Sequence, residues 1–194
     1  MEEIWEGTTI VCVRRGADLA IGCDGQITLG HQVIKNSANK LRTISVKNKK
    51  GESIRVFLGF AGSTCDAISL YEELDEHIKE YADHYDLEKI VVLLSKKMRR
   101  DNFAKKQAMM IVADHQDTFM MDGTGNAIRP ENFSKTDVVH EVTAIGSGGS
   151  FALSAARALI EFTNLEADKI VKESLTIASE ICIHTNNHIR IEKL

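Results

Sequence analysis

Proline, long apolar runs and paired cysteines are scarce in this sequence. Only one of its 194 residues is Pro. No stretch approaches the roughly 20 consecutive apolar residues that span a membrane, so we expect a soluble protein. The four cysteines, Cys12, Cys23, Cys65 and Cys182, include no Cys-x-x-Cys pair. Their scatter argues against a disulfide framework and indicates a reducing compartment.

Further absences argue against whole classes of partner. The net charge is −4, and the sequence lacks the strongly basic character typical of nucleic-acid-binding proteins. It contains no Gly-Lys-Ser/Thr and no Gly-x-Gly-x-x-Gly, so we expect no nucleotide to bind this chain. Residues 1–7 are acidic and have no apolar run, unlike a secretory signal or an Arg-rich transit peptide.

The hydrophobic pattern predicts a single α+β domain. A chain of this length with 43% hydrophobic residues can bury a sizeable core. Short apolar runs predict strands at 9–13, 19–23, 41–46, 54–60, 108–113, 118–121 and 142–145, with turns at 14–18 and 47–53. Helical periodicity predicts helices from 63 to 81, after 86, at 151–162 and at 167–183. Strands and helix pairs that are grouped in this way favour antiparallel sheets covered by helices.

The Gly7-Thr8-Thr9 junction indicates a catalytic possibility. A hydroxyl is a weak nucleophile near neutral pH and needs a neighbouring base. If the chain is cut after Gly7, the new amine of Thr8 titrates near pH ~8 and can serve as that base. While Gly7 is attached, the same nitrogen is an amide, so residues 1–7 would act as an off switch. The alternative is that Thr8 and Thr9 simply begin a strand, which β-branched residues favour.

Five sequence blocks, the first of which begins at this junction, occur in a fixed order. They are Thr8 to Arg15, Cys23 to Gly30, Gly59 to Gly62, Ala144 to Gly149 and Ile181 to Asn186. Together they resemble the HslV family, the proteolytic subunits of bacterial ATP-dependent proteases that are related to proteasome β-subunits. The resemblance implies a four-layer αββα sandwich of the N-terminal-nucleophile hydrolase type. It also implies a leader, residues 1–7, that is removed to expose Thr8 at the start of a single peptidase domain over 8–194.

The resemblance also implies roles for individual residues. Thr8 is the nucleophile, and Asp24 and Lys40 form a charged pair whose cation lowers the pKa of the amine. Ser147 hydrogen-bonds near that amine, and the backbone N–H of Gly59 contributes to an oxyanion hole that substrate backbone can approach closely. For Asp24 and Lys40 the alternative is an ordinary surface salt bridge. The small residues Ala38, Gly59 and Ser63 predict a roomy pocket that favours cleavage after apolar residues.

The family's monovalent-cation site matches Ser179, Cys182 and Thr185, which implies a structural sodium ion bound by carbonyl oxygens. Two alternative ligand sites can also be drawn from the sequence. Cys182, His184 and His188 offer zinc ligands, although a structural zinc needs four. The glycine-rich stretch 146–149 before a helix could hold a phosphate.

The resemblance finally implies a function and an assembly. We expect an ATP-dependent threonine-type endopeptidase that works inside two stacked hexamers and receives unfolded protein from an HslU-like AAA+ ATPase hexamer. The alternative is a catalytically silent ring subunit that serves as a scaffold. We expect a cytoplasmic location in a bacterium, or an organelle matrix if the host is eukaryotic.

Overall fold

The computed structural model describes residues 5–6, 8–100, 108–134 and 136–194. Its strands are β1 (Trp5–Glu6), β2 (Thr9–Arg15), β3 (Asp18–Cys23), β4 (Ile27–Leu29), β5 (Gln32–Lys35), β6 (Leu41–Lys47), β7 (Ser53–Gly62), β8 (Ala108–Ala113), β9 (Thr118–Asp122), β10 (Ala127–Ile128), β11 (His140–Gly146) and β12 (Arg190–Lys193). Its α-helices are α1 (Thr64–Glu80), α2 (Leu87–Arg100), α3 (Gly149–Phe162) and α4 (Ala167–Ile181).

Two antiparallel sheets stack face to face and carry helices on their outer sides. One sheet has the strand order β10-β9-β8-β7-β6, and α1 packs on β7 and β8. The other has the order β11-β2-β3-β12, and α3 and α4 pack on β2. The predicted α+β class and the αββα order of layers are therefore confirmed.

Three apolar clusters fill the spaces between these layers. The central cluster joins the two sheets and includes Ile10 and Ile21 on one side and Phe57 and Ile111 on the other. A second cluster lies between the larger sheet and helices α1 and α2, and a third lies between the smaller sheet and helices α3 and α4. Because strands β2 and β3 are covered on both faces, nearly all their side chains are buried.

The first hairpin is longer than the sequence predicts. Residues 14–18 were expected to form the turn, but β2 runs to Arg15 and β3 begins at Asp18. Arg14 is 2% exposed, and its guanidinium donates to the carbonyl oxygens of Asp114 and Asp117 at 2.8 and 2.9 Å. These hydrogen bonds satisfy a buried cation within the sheet, which explains why a charged residue can extend the strand.

The helix boundaries follow local hydrogen bonds. Ser63 caps α1, because its hydroxyl accepts the backbone N–H of Asp66. The last helix ends at Ile181, two residues before the predicted end at 183. Cys182 has extended backbone angles while its N–H still donates to the Ala178 carbonyl, so the chain leaves the helix there.

A small third sheet contains strands that the sequence did not predict. Its order is β1-β4-β5, and Trp5 and Glu6 pair with Leu29 and Thr28 of β4. All four residues of β5 are exposed, so this strand lacks the alternation that marks a half-buried strand. In the described part of the chain, no helix is both long and apolar enough to cross a membrane.

Candidate active site

Thr8 lies immediately before β2, at one end of the sandwich, and is 9% exposed. Its carbonyl oxygen accepts the backbone N–H of Ser147 at 2.9 Å. Ser147 follows β11, which is paired with β2 up to the Gly146–Thr9 register. The pairing of these two neighbouring strands therefore brings residues far apart in sequence to the same end of the sheet.

Asp24 lies at the centre of a hydrogen-bond network beside Thr8. It follows β3 and is fully buried. Its Oδ1 accepts the backbone N–H of Thr9 at 2.8 Å and the Lys40 ammonium at 2.6 Å. Its Oδ2 accepts the backbone N–H groups of Gln26 at 2.9 Å and of Asn186 at 3.3 Å. Four donors thus fix the orientation of this carboxylate.

The Asp24–Lys40 pair is buried, with side-chain exposures of 0% and 7%. The surface salt bridge considered as an alternative is therefore wrong for this pair. Burial lowers the pKa of the Lys40 ammonium from its ordinary value of 10.5, and the Asp24 carboxylate opposes that shift. Lys40 lines the same cleft as Thr8.

The cleft has a volume of about 430 Å³. Its polar lining is formed by Thr8, Asn39, Lys40, Arg42 and Ser147, and its remaining lining by Ile27, Ala38, Phe60, Ala61, Gly62, Ala67, Ile68, Tyr71, Ala108, Met109 and Gly146. A cavity of this size with a largely apolar wall and a few polar groups is typical of a ligand site. It can hold an apolar side chain next to the hydroxyl of Thr8.

Gly59 does not line this cleft among the described residues, in contrast to the sequence-based expectation. A Cβ at Gly59 would lie 2.5 Å from Ile10 Cγ2 and 3.1 Å from Ile21 Cδ1. The missing side chain therefore makes room for the core between the sheets and does not open a path for substrate. The other three residues of the motif, Phe60, Ala61 and Gly62, all line the cleft, so Gly62 is the motif glycine that does so.

The pocket prediction based on Ala38, Gly59 and Ser63 holds only for Ala38. The Ser63 hydroxyl is used as the cap of α1. The apolar wall comes instead from larger residues on several elements, including Ile27, Ile68 and Met109. A single-sequence motif does not show these residues, because they approach one another only when the sheets stack.

A second network ties Thr9 to the end of α4. The Thr9 hydroxyl accepts the backbone N–H of Gly148 at 3.0 Å and lies 2.7 Å from the Thr185 hydroxyl. Thr185 is 4% exposed and donates its backbone N–H to the Cys182 carbonyl at 3.0 Å. No role was predicted for Thr9 from the sequence. Its side-chain contacts fix the start of β2, directly after Thr8.

The three residues matched to a cation site lie within one short stretch. Ser179 is in the last turn of α4, Cys182 ends the helix and Thr185 follows it. The carbonyl groups of a last helical turn lack intrahelical donors and carry partial negative charge. This oxygen-rich helix end has the donor chemistry that suits a hard monovalent cation.

The two competing ligand sites find no support in the geometry. The ring Nδ1 of His188 lies 2.6 Å from the Asn36 carbonyl oxygen, so this nitrogen is hydrogen-bonded to backbone and is not available to a zinc ion. Among the described residues, no group of three His, Cys, Asp or Glu side chains could hold a metal ion. In the stretch 146–149, the Gly148 N–H is taken by the Thr9 hydroxyl instead of pointing freely toward a phosphate.

Stacked sheets between helix pairs, with a threonine and a buried Asp–Lys pair at one end, define a hydrolase of the N-terminal-nucleophile class. Comparisons with known proteins agree. The proteasome subunit family model matches residues 4–194. The ATP-dependent protease subunit HslV of Campylobacter hominis is 42% identical over 188 residues, which cover 96% of each chain. The chain therefore belongs to the proteasome family and is a threonine-type peptidase.

Solved structures give the same result for the fold. The crystal structure of HslV from Trypanosoma brucei has a TM-score of 0.80 at 40% identity, covering 96% of this chain and 98% of that one. The Thiobacillus denitrificans protein BPH has a TM-score of 0.65 at 15% identity, over 96% and 97% of the two chains. At that identity the second likeness concerns the fold alone.

Proposed function

We propose that this chain is the proteolytic subunit of an ATP-dependent protease and that Thr8, released by removal of residues 1–7, is its nucleophile. The observation that carries the proposal is the buried Asp24–Lys40 pair, bonded to the Thr9 N–H at 2.8 Å and sharing a cleft with Thr8. The presence of Thr8, Asp24 and Lys40 together also argues against a catalytically silent subunit, because a scaffold has no need for a buried cation beside a cleft.

The proposed reaction needs no group beyond the chain and water. The Thr8 amine accepts the hydroxyl proton while Oγ attacks the substrate carbonyl carbon, and the Lys40 cation stabilises the developing negative charge. Collapse of the tetrahedral intermediate breaks the C–N bond, and the proton passes to the leaving amine. Water then attacks the resulting ester, which releases the acyl product and regenerates the Thr8 hydroxyl.

Two further groups complete this proposal. We assign the oxyanion contact to backbone around Gly62, which lines the cleft as Thr8 does, in place of Gly59. Asp24 acts indirectly, because its carboxylate fixes Lys40 and the Thr9 N–H. The apolar wall formed by residues such as Ile27, Ile68 and Met109 favours cleavage after apolar residues.

The proposal includes partners. The Campylobacter relative is named as a subunit of an ATP-dependent protease, and this chain has no nucleotide-binding motif of its own. Folded proteins expose little cleavable backbone, because most of it is paired in secondary structure. We therefore infer an HslU-like AAA+ hexamer that feeds unfolded chain into a chamber of two stacked hexamers. The ATPase activates the peptidase to the extent that it binds the active conformation more tightly.

We also propose a sodium ion at the end of α4, held by carbonyl oxygens of Ser179, Cys182 and Thr185. The Cys182 carbonyl accepts one N–H, from Thr185 at 3.0 Å, and keeps a second lone pair for a cation. The ion would stiffen the segment whose Thr185 hydroxyl contacts Thr9. Exchange of sodium chloride for choline chloride at equal ionic strength should then lower the thermal unfolding temperature.

The test of the proposed function compares wild type with Thr8→Ala and Thr8→Ser. Hydrolysis of a fluorogenic apolar peptide and of a folded protein is measured with and without ATP and the cognate ATPase. We expect weak peptide hydrolysis by wild type alone, strong stimulation by the ATPase, and folded-protein degradation only with both. Thr8→Ala should be inactive and folded, whereas Thr8→Ser, which keeps hydroxyl and amine, should retain part of the activity.

Intact mass provides the control for processing, because loss of residues 1–7 must accompany activity. Full-rate cleavage by Thr8→Ala would overturn the nucleophile assignment. If each substrate is cleaved at the same rate with and without ATP and the ATPase, the coupling to an ATPase is overturned and the Thr8 chemistry stays in place.

A further inference from the structure

The Asn186 side chain lies where three backbone segments meet. Its Oδ1 accepts the backbone N–H of Gly25 at 3.0 Å, in the turn that follows Asp24. Its Nδ2 donates to the Asn36 carbonyl oxygen at 2.9 Å, in the loop that leads to Lys40. The residue itself belongs to the segment that follows α4. One amide thus uses both ends to join the two loops that carry the charged pair.

The backbone of Asn186 also touches the buried carboxylate directly. Its N–H donates to Asp24 Oδ2 at 3.3 Å, while Lys40 and Thr9 use the other oxygen. Asn186 therefore contacts one member of the charged pair through its backbone and the loop of the other through its side chain.

Contacts around this amide show that the two loops lie close together. The Ala38 N–H donates to the Gly25 carbonyl at 2.9 Å. A Cβ on Gly25 would collide with the Asn36 carbonyl oxygen. His188 supports the arrangement, because its N–H donates to Asn186 Oδ1 at 3.1 Å and its ring Nδ1 lies 2.6 Å from the Asn36 carbonyl oxygen.

We propose that Asn186 is a positioning residue for the peptidase reaction: it fixes the spacing between the Asp24 turn and the Lys40 loop so that the Lys40 ammonium stays directed toward Thr8. This inference rests on the proposed function. Its physical basis is that catalysis depends steeply on placement, and a displacement of about 1 Å can cost a factor of about 100 in rate. Among the described residues, Asn186 does not line the cleft, and it acts through Asp24 and Lys40.

The test compares Asn186→Ala with the matched control Asn187→Ala. Asn187 is the next residue, is exposed, and its side chain faces Thr176 of α4 at 3.4 Å. We expect Asn186→Ala to lower kcat for the apolar peptide about tenfold, with KM within about twofold, because most of the apolar cleft wall, including Ile68 and Met109, lies outside the displaced loop. Asn187→Ala should match wild type in both constants.

Two measurements separate positioning from misfolding and from failed processing. Rates are referred to protein whose intact mass has lost residues 1–7, and thermal unfolding shows that each variant is folded at the assay temperature. If Asn186→Ala is unfolded there, Asn186→Asp is used, because its Oδ1 still accepts the Gly25 and His188 N–H groups while the donor to Asn36 is lost. It should show the same fall in kcat.

The outcomes distinguish this proposal from the function on which it rests. With Thr8→Ala inactive, wild-type kcat in a folded, processed Asn186 variant overturns the positioning role and leaves the nucleophile assignment standing. A rise in KM without a fall in kcat also overturns it, because that pattern belongs to a residue that shapes the substrate pocket. Activity in Thr8→Ala contradicts the proposed function itself.

Discussion

Gly146 shows how closely the chain is packed around Thr8. It ends β11 with a φ of 89°, in the left-handed region where glycine carries no penalty. A Cβ at this position would fall on the Thr8 carbonyl oxygen, well inside van der Waals contact. The place of Thr8 thus depends on the absence of a single methyl group on the neighbouring strand.

We expect Gly146→Ala to abolish at least about 99% of peptide hydrolysis, because the clash must move Thr8 by a large fraction of an ångström. Gly51→Ala is the matched control: Gly51 has a similar φ of 81° but no atom within 4 Å of its would-be Cβ. The control should lose about 1 kcal/mol of unfolding free energy in urea and keep its activity. Equal activities of the two variants would contradict the packing argument.

The pH dependence of hydrolysis should report on Lys40. Activity of the processed protein should rise as the Thr8 amine loses its proton. It should fall again at high pH, because Lys40 is charged only below its own pKa. Burial lowers that pKa, so the fall should begin below the ordinary lysine value of 10.5.

Two variants check the assignment of the alkaline fall. Lys40→Arg keeps its charge throughout this range, so its remaining activity should not decline there. Lys49 is an exposed lysine paired with Asp83, and Lys49→Ala should leave the profile unchanged. If the activity of Lys40→Arg falls at high pH as that of wild type does, another group causes the decline.

At the scale of residues, the sequence was a good guide to the side chains that meet at the site. It was a poorer guide to the backbone groups that line the cleft. The structure brings Thr8, Lys40 and Ser147 to one cleft and buries Asp24 behind it. Within the Gly59–Gly62 motif, Gly62 lines the cleft, whereas Gly59 packs against the core between the sheets. Which glycine faces the cleft depends on how the two sheets stack, and a motif in one strand does not contain that information.

At the scale of elements, local patterns were reliable where an element buries at least one face. The apolar stripe of α1 and the short apolar runs of the long strands led to the observed elements. Strands β4, β5, β10 and β12 were missed because they have only two to four residues each, too few to show a buried period, and β5 and β12 are also mostly exposed. Their pairing is set by neighbouring strands.

Helix α1 offers a prediction at this scale, because its first turn carries Ala67 and Ile68 of the cleft wall. Removing the cap in Ser63→Ala should cost about 1 kcal/mol of unfolding free energy in urea. It should also raise KM for the apolar peptide through fraying of that turn. Ser69→Ala is the control, since its hydroxyl bonds the Cys65 carbonyl within the helix, and it should change stability by less than about 0.5 kcal/mol.

At the scale of the whole molecule, the outer helices leave large apolar side chains exposed. They include Phe151 and Phe162 of α3 and Ile177 and Ile181 of α4, with Ile183 just beyond at 84% exposure. Apolar surface of this kind is common where another protein subunit packs. It agrees with the proposed ring, in which each chain contacts further copies.

We expect light scattering of the purified protein to give a mass many times that of the 21.5 kDa chain, in agreement with two stacked hexamers. Thr8→Ala should assemble in the same way, because the substitution lies inside the cleft. A stable monomer under conditions that support hydrolysis would contradict the chamber and leave an unenclosed peptidase.

The pairing of the short strand β1 depends on its covalent connection to the rest of the chain. Trp5 and Glu6 pair with β4 while they are part of the same chain, and a tether of a few residues gives such a segment an effective concentration in the millimolar range. If the bond after Gly7 is cut, as proposed, the released heptapeptide must compete at its bulk concentration, which is far lower. It should therefore leave the edge of β4, and the same peptide added in trans would need a concentration in the millimolar range to match the occupancy of the tethered strand. One covalent bond, rather than the strength of the strand pairing, would decide whether that edge is occupied.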